Sequence, residues 1–392
     1  MNIRSITIYT PGDFPYGMAG ENFVRQMAIG IKLNKVNVHV VRMHGQKYAT
    51  ENDTGIDGSD LLFRRTPKHD IIKIFEIIAL LFAIPISVVR HKLKTKTSAV
   101  ILYGIDYFYF VFPFWIATKM LNIKLIRIIT DYSSPLSIAP VWWKKPKLFF
   151  HNLQFKHFDK YLDGIIVLSS YLSNLILKSG IHSSRINVIP HFIDMEGFID
   201  NNKKIEKNSK IRIGFCGTPH ELNGIFDLIE AFLTVKQKYD NAELLIIGAP
   251  ADDNMVRIDR KLQYLKDSYH ITGFLNKEHV AQALLSCDIL VNPRKSGNRA
   301  EAGFPTKLGE YFGTKIPVVS TSVGDIVRYF NDKVQLVLVE PDNPAKLAEG
   351  ICFLIENPEK AREIGVNGFN WALCNLDYKA NAKKLIGFIN TV

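Results

Sequence analysis

The feature that most constrains this chain is an alternation that runs through it twice. Short β-branched runs at 5–10 (SITIYT), 36–42, 99–104, 124–130 and 164–169 are separated by helical patterns such as 19–33. The alternation restarts at 211–217 (IRIGFCG) and continues at 243–249, 269–274, 287–293, 315–321 and 335–340. Strands separated by helices build parallel sheets from β-α-β units. Two sheets of five or six strands suit these runs better than one of eleven. The aperiodic stretch DNNKKIEKNSK (200–210) is the linker candidate. The expected architecture is therefore α/β, with two Rossmann-like, doubly wound parallel-sheet domains facing a cleft. The expected domains are 1–190 and 191–375. The helical stretch 376–392 carries Leu385, Ile386 and Ile389 on one face. Ligands in such sheets bind outside the carboxyl ends of the strands.

Composition narrows the function. A chain of 392 residues, 47% hydrophobic and 22% charged, has room for two cores and is no disordered polymer. Its four cysteines (Cys216, Cys287, Cys352, Cys374) form no Cys-x-x-Cys pair. That excludes a disulfide scaffold and a zinc ribbon and fits a reducing compartment. The first residues, MNIRSITIYTPGD, contain no apolar leader-type run, so no secretory signal is expected.

The net charge of +11 is concentrated in the first half. Residues 1–190 hold 24 Lys and Arg against 12 Asp and Glu, whereas 191–392 hold 25 against 26. Such asymmetry points to an anionic partner for the first half. Two apolar segments lie there, with uncharged runs at 77–89 and 107–118. Both are shorter than the roughly 17 residues that a spanning helix needs. They read either as two buried helices or as a monotopic surface resting on an anionic leaflet.

Two Gly-rich turns open helices after strands, PGDFPYGMAG (11–20) and GFCGTP (214–219). Small residues let a ligand approach the backbone, and a helix N-terminus offers N–H groups to an anion. Neither turn is a Gly-x-Gly-x-x-Gly fingerprint, and no Gly-Lys-Ser/Thr loop, Gly-x-Ser-x-Gly elbow or metal-ligand spacing occurs. A nicotinamide dehydrogenase and a P-loop NTPase are disfavoured. The most informative stretch is NPRKSGNRAEAGFPTKLGE (292–310), which sets Arg294, Lys295, Arg299, Lys307, Glu301 and Glu310 around Gly297, Gly303 and Pro305. Cations beside small residues after a strand suit a diphosphate. A carboxylate one helical turn further on suits ribose hydroxyls.

These residues make the chain resemble the family 4 glycosyltransferases, retaining enzymes of the two-domain glycosyltransferase B fold. The resemblance is carried by GFPTKLGEY (303–311), PVVST (317–321), Gly17-Met18-Ala19, IPHFID (189–194), Gly224 with LIEAF (228–232), and Thr272-Gly273-Phe274. It implies a nucleotide-sugar donor, UDP- or GDP-linked, with no metal cofactor. It implies that Glu310 holds the donor ribose and that Gly303, Phe304, Pro305 and Thr306 meet the sugar or diphosphate. Gly273, Phe274 and Leu275 would contact the base, Gly217 and Thr218 would border the donor, and Gly17, Met18 and Ala19 would form an acceptor or diphosphate loop. The first domain would take the acceptor, a growing glycan or a polyprenyl-diphosphate-linked one. The second would take the donor, and the last helix would pack back on the first domain.

The chain also departs from the family pattern. Ala302 stands eight positions before Glu310, where the family has a second glutamate, and Glu301 is one place earlier. The family's basic pair is replaced by Thr218 and Asn223, with Arg294, Arg299 and Lys307 as substitutes. No histidine matches the family's catalytic one, and Asp131 and Tyr132 fall near its place. Glu301, Asp131 and Arg299 are the catalytic candidates. The expected protein is a cytoplasmic transferase, peripheral on the inner face of the plasma membrane, acting in cell-envelope polysaccharide assembly. A nucleotide-sugar epimerase or phosphorylase of the same fold and a non-catalytic partner are the alternatives. No nucleic-acid recognition module is present, so nucleic acid is not an expected partner.

Overall fold

The computed structural model describes residues 3–15, 19–43, 54–61, 70–130, 145–195, 197 and 210–392. The chain divides into two compact units, Met1–Phe192 with Tyr378–Val392, and Ile193–Asp377. Most of the linker candidate, 200–209, lies outside the described residues, as do Gly17, Met18, Asp131 and Tyr132.

The sheet of the first unit contains β1 (Ser5–Thr10), β2 (Asn37–Arg42), β3 (Asp57–Asp60), β4 (Ala99–Tyr103), β5 (Lys124–Ile129), β6 (Gly164–Val167) and β7 (Ile186–Val188). The order is β3-β2-β1-β4-β5-β6-β7, and every pairing is parallel. All six residues of β1 are buried, as expected of a parallel strand covered by helices on both faces. On one face Ile6 and Ile8 share a core with Phe23, Met27, Leu385 and Ile389, from helices Ala19–Leu33 and Tyr378–Thr391. On the other, Tyr9, Val100 and Leu102 share one with Leu80, Ile84, Val88 and Phe114, from helices Asp70–Thr95 and Phe108–Met120.

The first sheet thus has seven strands, two more than the β-branched runs predict. The sequence of β3 is DGSD, with exposed or half-buried side chains, and β7 is the three-residue INV. Both are edge strands, held by backbone pairing to one neighbour, so neither needs the apolar pattern that marks an inner strand.

The second unit repeats the design with β8 (Ile211–Cys216), β9 (Ala242–Ile247), β10 (Tyr269–Ile271), β11 (Ile289–Asn292), β12 (Val318–Thr321) and β13 (Val337–Val339). Their order is β10-β9-β8-β11-β12-β13, again all parallel. Counted from its own first strand, each unit contains the Rossmann order 3-2-1-4-5-6. The order reverses between β1 and β4 in the first unit and between β8 and β11 in the second. Those are the places where such sheets hold ligands.

The two apolar segments do not form two buried helices. Helix Asp70–Thr95 buries Leu80, Ile84 and Val88 but leaves Phe75, Phe82, Ile86 and Leu93 exposed. It is covered on one side only.

Candidate functional site

The site is built at the reversal point of the second unit, where the carboxyl ends of β8 and β11 lie side by side (Ile213 pairs with Ile289 and Gly214 with Leu290). From β8 the chain passes through Gly217, whose φ of +126° few other residues adopt. From β11 it enters the loop that starts at Pro293. Helix Thr306–Gly313 follows, opened by the buried Pro305. This eight-residue helix is locked by Tyr311. The hydroxyl of this fully buried side chain accepts a hydrogen bond from the Cys216 amide (2.8 Å) and donates one to the Val291 carbonyl (3.3 Å). One phenol therefore ties the helix to the last turns of both strands. Tyr311→Phe should leave the Cys216 amide without its partner. The expected cost is about 1–2 kcal/mol of stability, read as a lowered midpoint in urea with an unchanged slope.

The neighbouring loop is pinned equally. Asn292 Nδ2 donates to Ser320 Oγ (2.9 Å), and Thr321 Oγ1 donates to the Arg294 carbonyl (2.6 Å). Arg294 Nη1 donates to the Gly303 carbonyl (3.0 Å). Lys295 turns away into ion pairs with Asp227 (3.2 Å) and Asp342 (3.3 Å). Gly224, the N-cap of helix Ile225–Lys238, packs directly against the Pro293 carbonyl.

Lys307, in the first turn of its helix, is the cation at the centre. Its ammonium lies 4.3 Å from the centre of the Phe215 ring and near the Cα of Gly217. The residue as a whole is half-buried, with its ammonium held against the Phe215 ring and Gly217. Loss of hydration pushes its pKa down to about 8, with the Arg294 charge acting in the same direction and Cys216 and Glu310 opposing. The cation is poorly hydrated and has no carboxylate bonded to it among the described residues, so an incoming anion would meet a strong field. Glu310, half-buried one turn further on, is close enough for its charge to act on Lys307, Cys216 and Tyr311. Burial pushes the Cys216 thiol up to about 12, so it is no nucleophile near neutral pH.

Gly217, Thr218, Arg294, the 303–307 segment and Glu310 thus converge on one end of the sheet. Thr218 presents its carbonyl to Asn223 Nδ2 (2.8 Å), so these two occupy the expected basic pair's places as a neutral hydrogen-bonded turn. The Gly273–Leu275 turn stands along the same row of strand ends. The Gly217 amide bonds to the Ile247 carbonyl (2.9 Å), and Gly248 in turn bridges to Gly273. Phe274 is 83% exposed there and Leu275 half-buried. Phe304 does not project outward. It is buried against Tyr329, so only its backbone is open to the roles expected of this segment.

The catalytic candidates are placed unevenly. Ala302 is fully buried, while Glu301 is half-buried and accepts a hydrogen bond from the Gly324 amide (3.1 Å). Arg299 is the second residue of a short helix, Asn298–Ala302, but its side chain, like that of Ala19, lies outside what is described. Asp131 lies outside the described residues altogether. No group of three potential metal ligands occurs among the described residues.

Sequence reasoning missed a second ionic cluster, in the first unit. Arg127 on β5 is 1% exposed. Its Nη1 donates to Asp159 Oδ1 (2.7 Å) and Oδ2 (2.5 Å), and its Nη2 donates to Asp106 (2.8 Å). Gln154 adds a bond to Asp159 (2.6 Å). Asp159 is buried, whereas Asp106, just beyond the carboxyl end of β4, stays open to solvent. The available signal was one charge inside the apolar strand KLIRII.

Two Rossmann-like units with this cationic strand-end site define the glycosyltransferase B class of fold. Residues 210–357, within the second unit, match the model of the family "Glycosyl transferases group 1". Among curated proteins, the chain is 22% identical over 266 residues to an uncharacterized glycosyltransferase of Methanocaldococcus jannaschii, MJ1069 (67% of this chain, 66% of that protein). It is 27% identical over 235 residues to the capsular polysaccharide biosynthesis glycosyltransferase CapM of Staphylococcus aureus (55% of this chain, 60% of that protein). The chain therefore spans slightly under two thirds of these relatives' lengths. Among solved structures, Anabaena HepE in complex with UDP superposes with a TM-score of 0.71 at 13% identity, each chain covered in full.

Proposed function

We propose that this protein is a retaining glycosyltransferase that moves a sugar from UDP- or GDP-sugar to a lipid-linked or growing glycan in cell-envelope polysaccharide assembly. The observation that carries the reading is the dehydrated Lys307 ammonium against Phe215 and Gly217, with the Glu310 carboxylate one turn away. A diphosphate and a ribose diol, one nucleotide unit apart, are what such a pair recognises. The UDP in HepE and the capsular role in CapM's name support the reading.

Lys307 and Arg294, with Arg299, would carry the leaving diphosphate's charge in place of the family's basic pair. Gly217 and Thr218 would border the diphosphate, and the backbone of 303–306 would hold the sugar. Phe274 and Leu275 would meet the base, and Glu310 the ribose. Catalysis would rest on stabilising the departing diphosphate as positive charge builds on the anomeric carbon. No metal is needed where protein cations do this work. Glu301 and Asp131 would serve the reacting sugar, and Gly17, Met18 and Ala19 the acceptor side, with the basic first unit facing an anionic membrane.

One observation favours a second reading, a non-catalytic partner. The buried Ala302 replaces a carboxylate, and Glu301 already holds the Gly324 amide. Calorimetry of UDP and GDP without metal, on wild type and Glu310→Ala, separates the two. The transferase reading expects binding of one nucleotide, weakened at least tenfold by the substitution. If neither nucleotide binds, that reading falls and the partner reading stands.

A further inference from the structure

Helix Asp70–Thr95 has two apolar faces, and the unit uses only one. Leu80, Ile84, Ser87, Val88 and His91 point into the core. At 100° per residue, Phe75, Ile78, Phe82, Ile86, Val89 and Leu93 lie on the opposite side. They are 68%, 45%, 70%, 68%, 40% and 76% exposed. The stripe runs for roughly 27 Å at 1.5 Å per residue. It does not stand alone. Phe112, Ile116 and Met120 form an exposed stripe on helix Phe108–Met120, and Phe149 is 61% exposed on helix Lys145–Leu153. Between these helices lies an open groove of about 470 Å³ lined by Phe82, Pro85, Phe108, Phe112, Ile116 and Phe150. Monomeric proteins seldom leave so continuous an apolar area to water.

Charge identifies what covers it. Arg90 and Lys94 are exposed and Lys92 is half-buried at the end of the same helix, none in an ion pair among the described residues. An apolar stripe bordered by unpaired cations complements the acyl boundary and headgroups of an anionic bilayer. No helix of the described residues is long and apolar enough to cross a membrane, so the stripe would lie in the plane.

We infer that this three-helix face is a membrane-insertion surface. Phe75, Phe82, Ile86 and Leu93 enter the acyl boundary, and Arg90, Lys92 and Lys94 bind anionic headgroups. The inference deepens the proposed function by naming the partner surface of the first unit, and it rests on that reading only for the partner's use. It also changes how attachment responds to salt. Purely electrostatic binding would vanish once charges are screened, whereas inserted apolar side chains keep their hold.

The test is flotation of full-length protein with vesicles of phosphatidylcholine, with and without phosphatidylglycerol, at low and high salt. Wild type should bind the anionic vesicles and keep a measurable part of that binding at high salt. Phe75→Ser/Phe82→Ser/Ile86→Ser should weaken binding at least tenfold at both salt levels. Arg90→Ser/Lys92→Ser/Lys94→Ser should lose mainly the low-salt part. Single changes Phe82→Ser and Leu93→Ser give the same direction should the triple variant not fold. Vesicle binding unchanged by the apolar changes overturns the inference. So does light scattering that shows a wild-type dimer made monomeric by them, because a second copy would then cover the face. Nucleotide calorimetry on the same samples keeps the readings apart. Vesicle binding without nucleotide binding overturns the transferase reading alone, and the converse overturns this one alone.

Discussion

Replacing Gly224 by alanine is expected to destabilise the second unit by about 3 kcal/mol or more, about twice the cost of the same change at Gly273. Both residues have a left-handed backbone, φ +74° and +70°. At both, an L-residue costs about 1–2 kcal/mol in backbone strain. Their surroundings differ. A Cβ on Gly273 meets nothing within 4 Å, whereas one on Gly224 would overlap the Pro293 carbonyl. Neither partner can retreat. Gly224 caps helix Ile225–Lys238, whose Ile225, Leu228 and Ile229 are fully buried. Pro293 leaves β11 between Asn292, bonded to Ser320, and Arg294, whose carbonyl accepts from Thr321. Core overpacking without room to relax costs a further 1–3 kcal/mol. For a unit of this size each kcal/mol lowers the melting temperature by roughly 2–4 °C. Thermal denaturation should show a drop of roughly 6–12 °C for Gly224→Ala and a smaller one, roughly 2–8 °C, for Gly273→Ala. Equal drops would mean that the Gly224–Pro293 contact contributes nothing beyond backbone strain.

What the sequence disclosed and what it hid follow from the range of the interactions. The inner strands were legible because burial on both faces favours runs dense in β-branched and apolar residues, as in SITIYT or LLII. The edge strand DGSD was not, because backbone pairing leaves no mark on side-chain pattern. The start of helix Thr306–Gly313 was legible from Gly303 and Pro305. The use of Tyr311 was hidden, because its hydroxyl meets Cys216 and Val291 only after the sheet has formed. The same holds for Lys307, which sequence marked as a cation but which only the Phe215 ring makes a dehydrated one. The first unit's charge excess and the apolar run at 77–89 were plain. Which side of that helix stays uncovered was not, because a helix apolar on two faces has a weak periodic signal.

Lys307→Ala is expected to weaken binding of the nucleoside diphosphate roughly tenfold to a hundredfold. A hydrogen bond to a charged group contributes about 1.5–3 kcal/mol, and more where water is excluded. The sharper outcome is its pH dependence. In the free protein burial holds the ammonium at a pKa of about 8, below its ordinary 10.5. Below about pH 8 the side chain is charged and ready for the anion. Above it, binding must first take up a proton, so affinity should fall by as much as tenfold per pH unit until the pKa of the complex is reached. Lys307→Arg stays charged throughout this range and should flatten the profile, even where its bulk lowers absolute affinity. Stability moves the opposite way. Between about 8 and 10.5 the unfolded lysine holds a proton that the folded one has released, so the ligand-free protein gains stability as pH rises through that window. Calorimetry across about pH 7 to 9 on wild type and Lys307→Arg decides the matter. Parallel profiles for the two proteins would show that another group controls the titration and would remove Lys307 from contact with the diphosphate. A fall confined to wild type would place its ammonium on the anion.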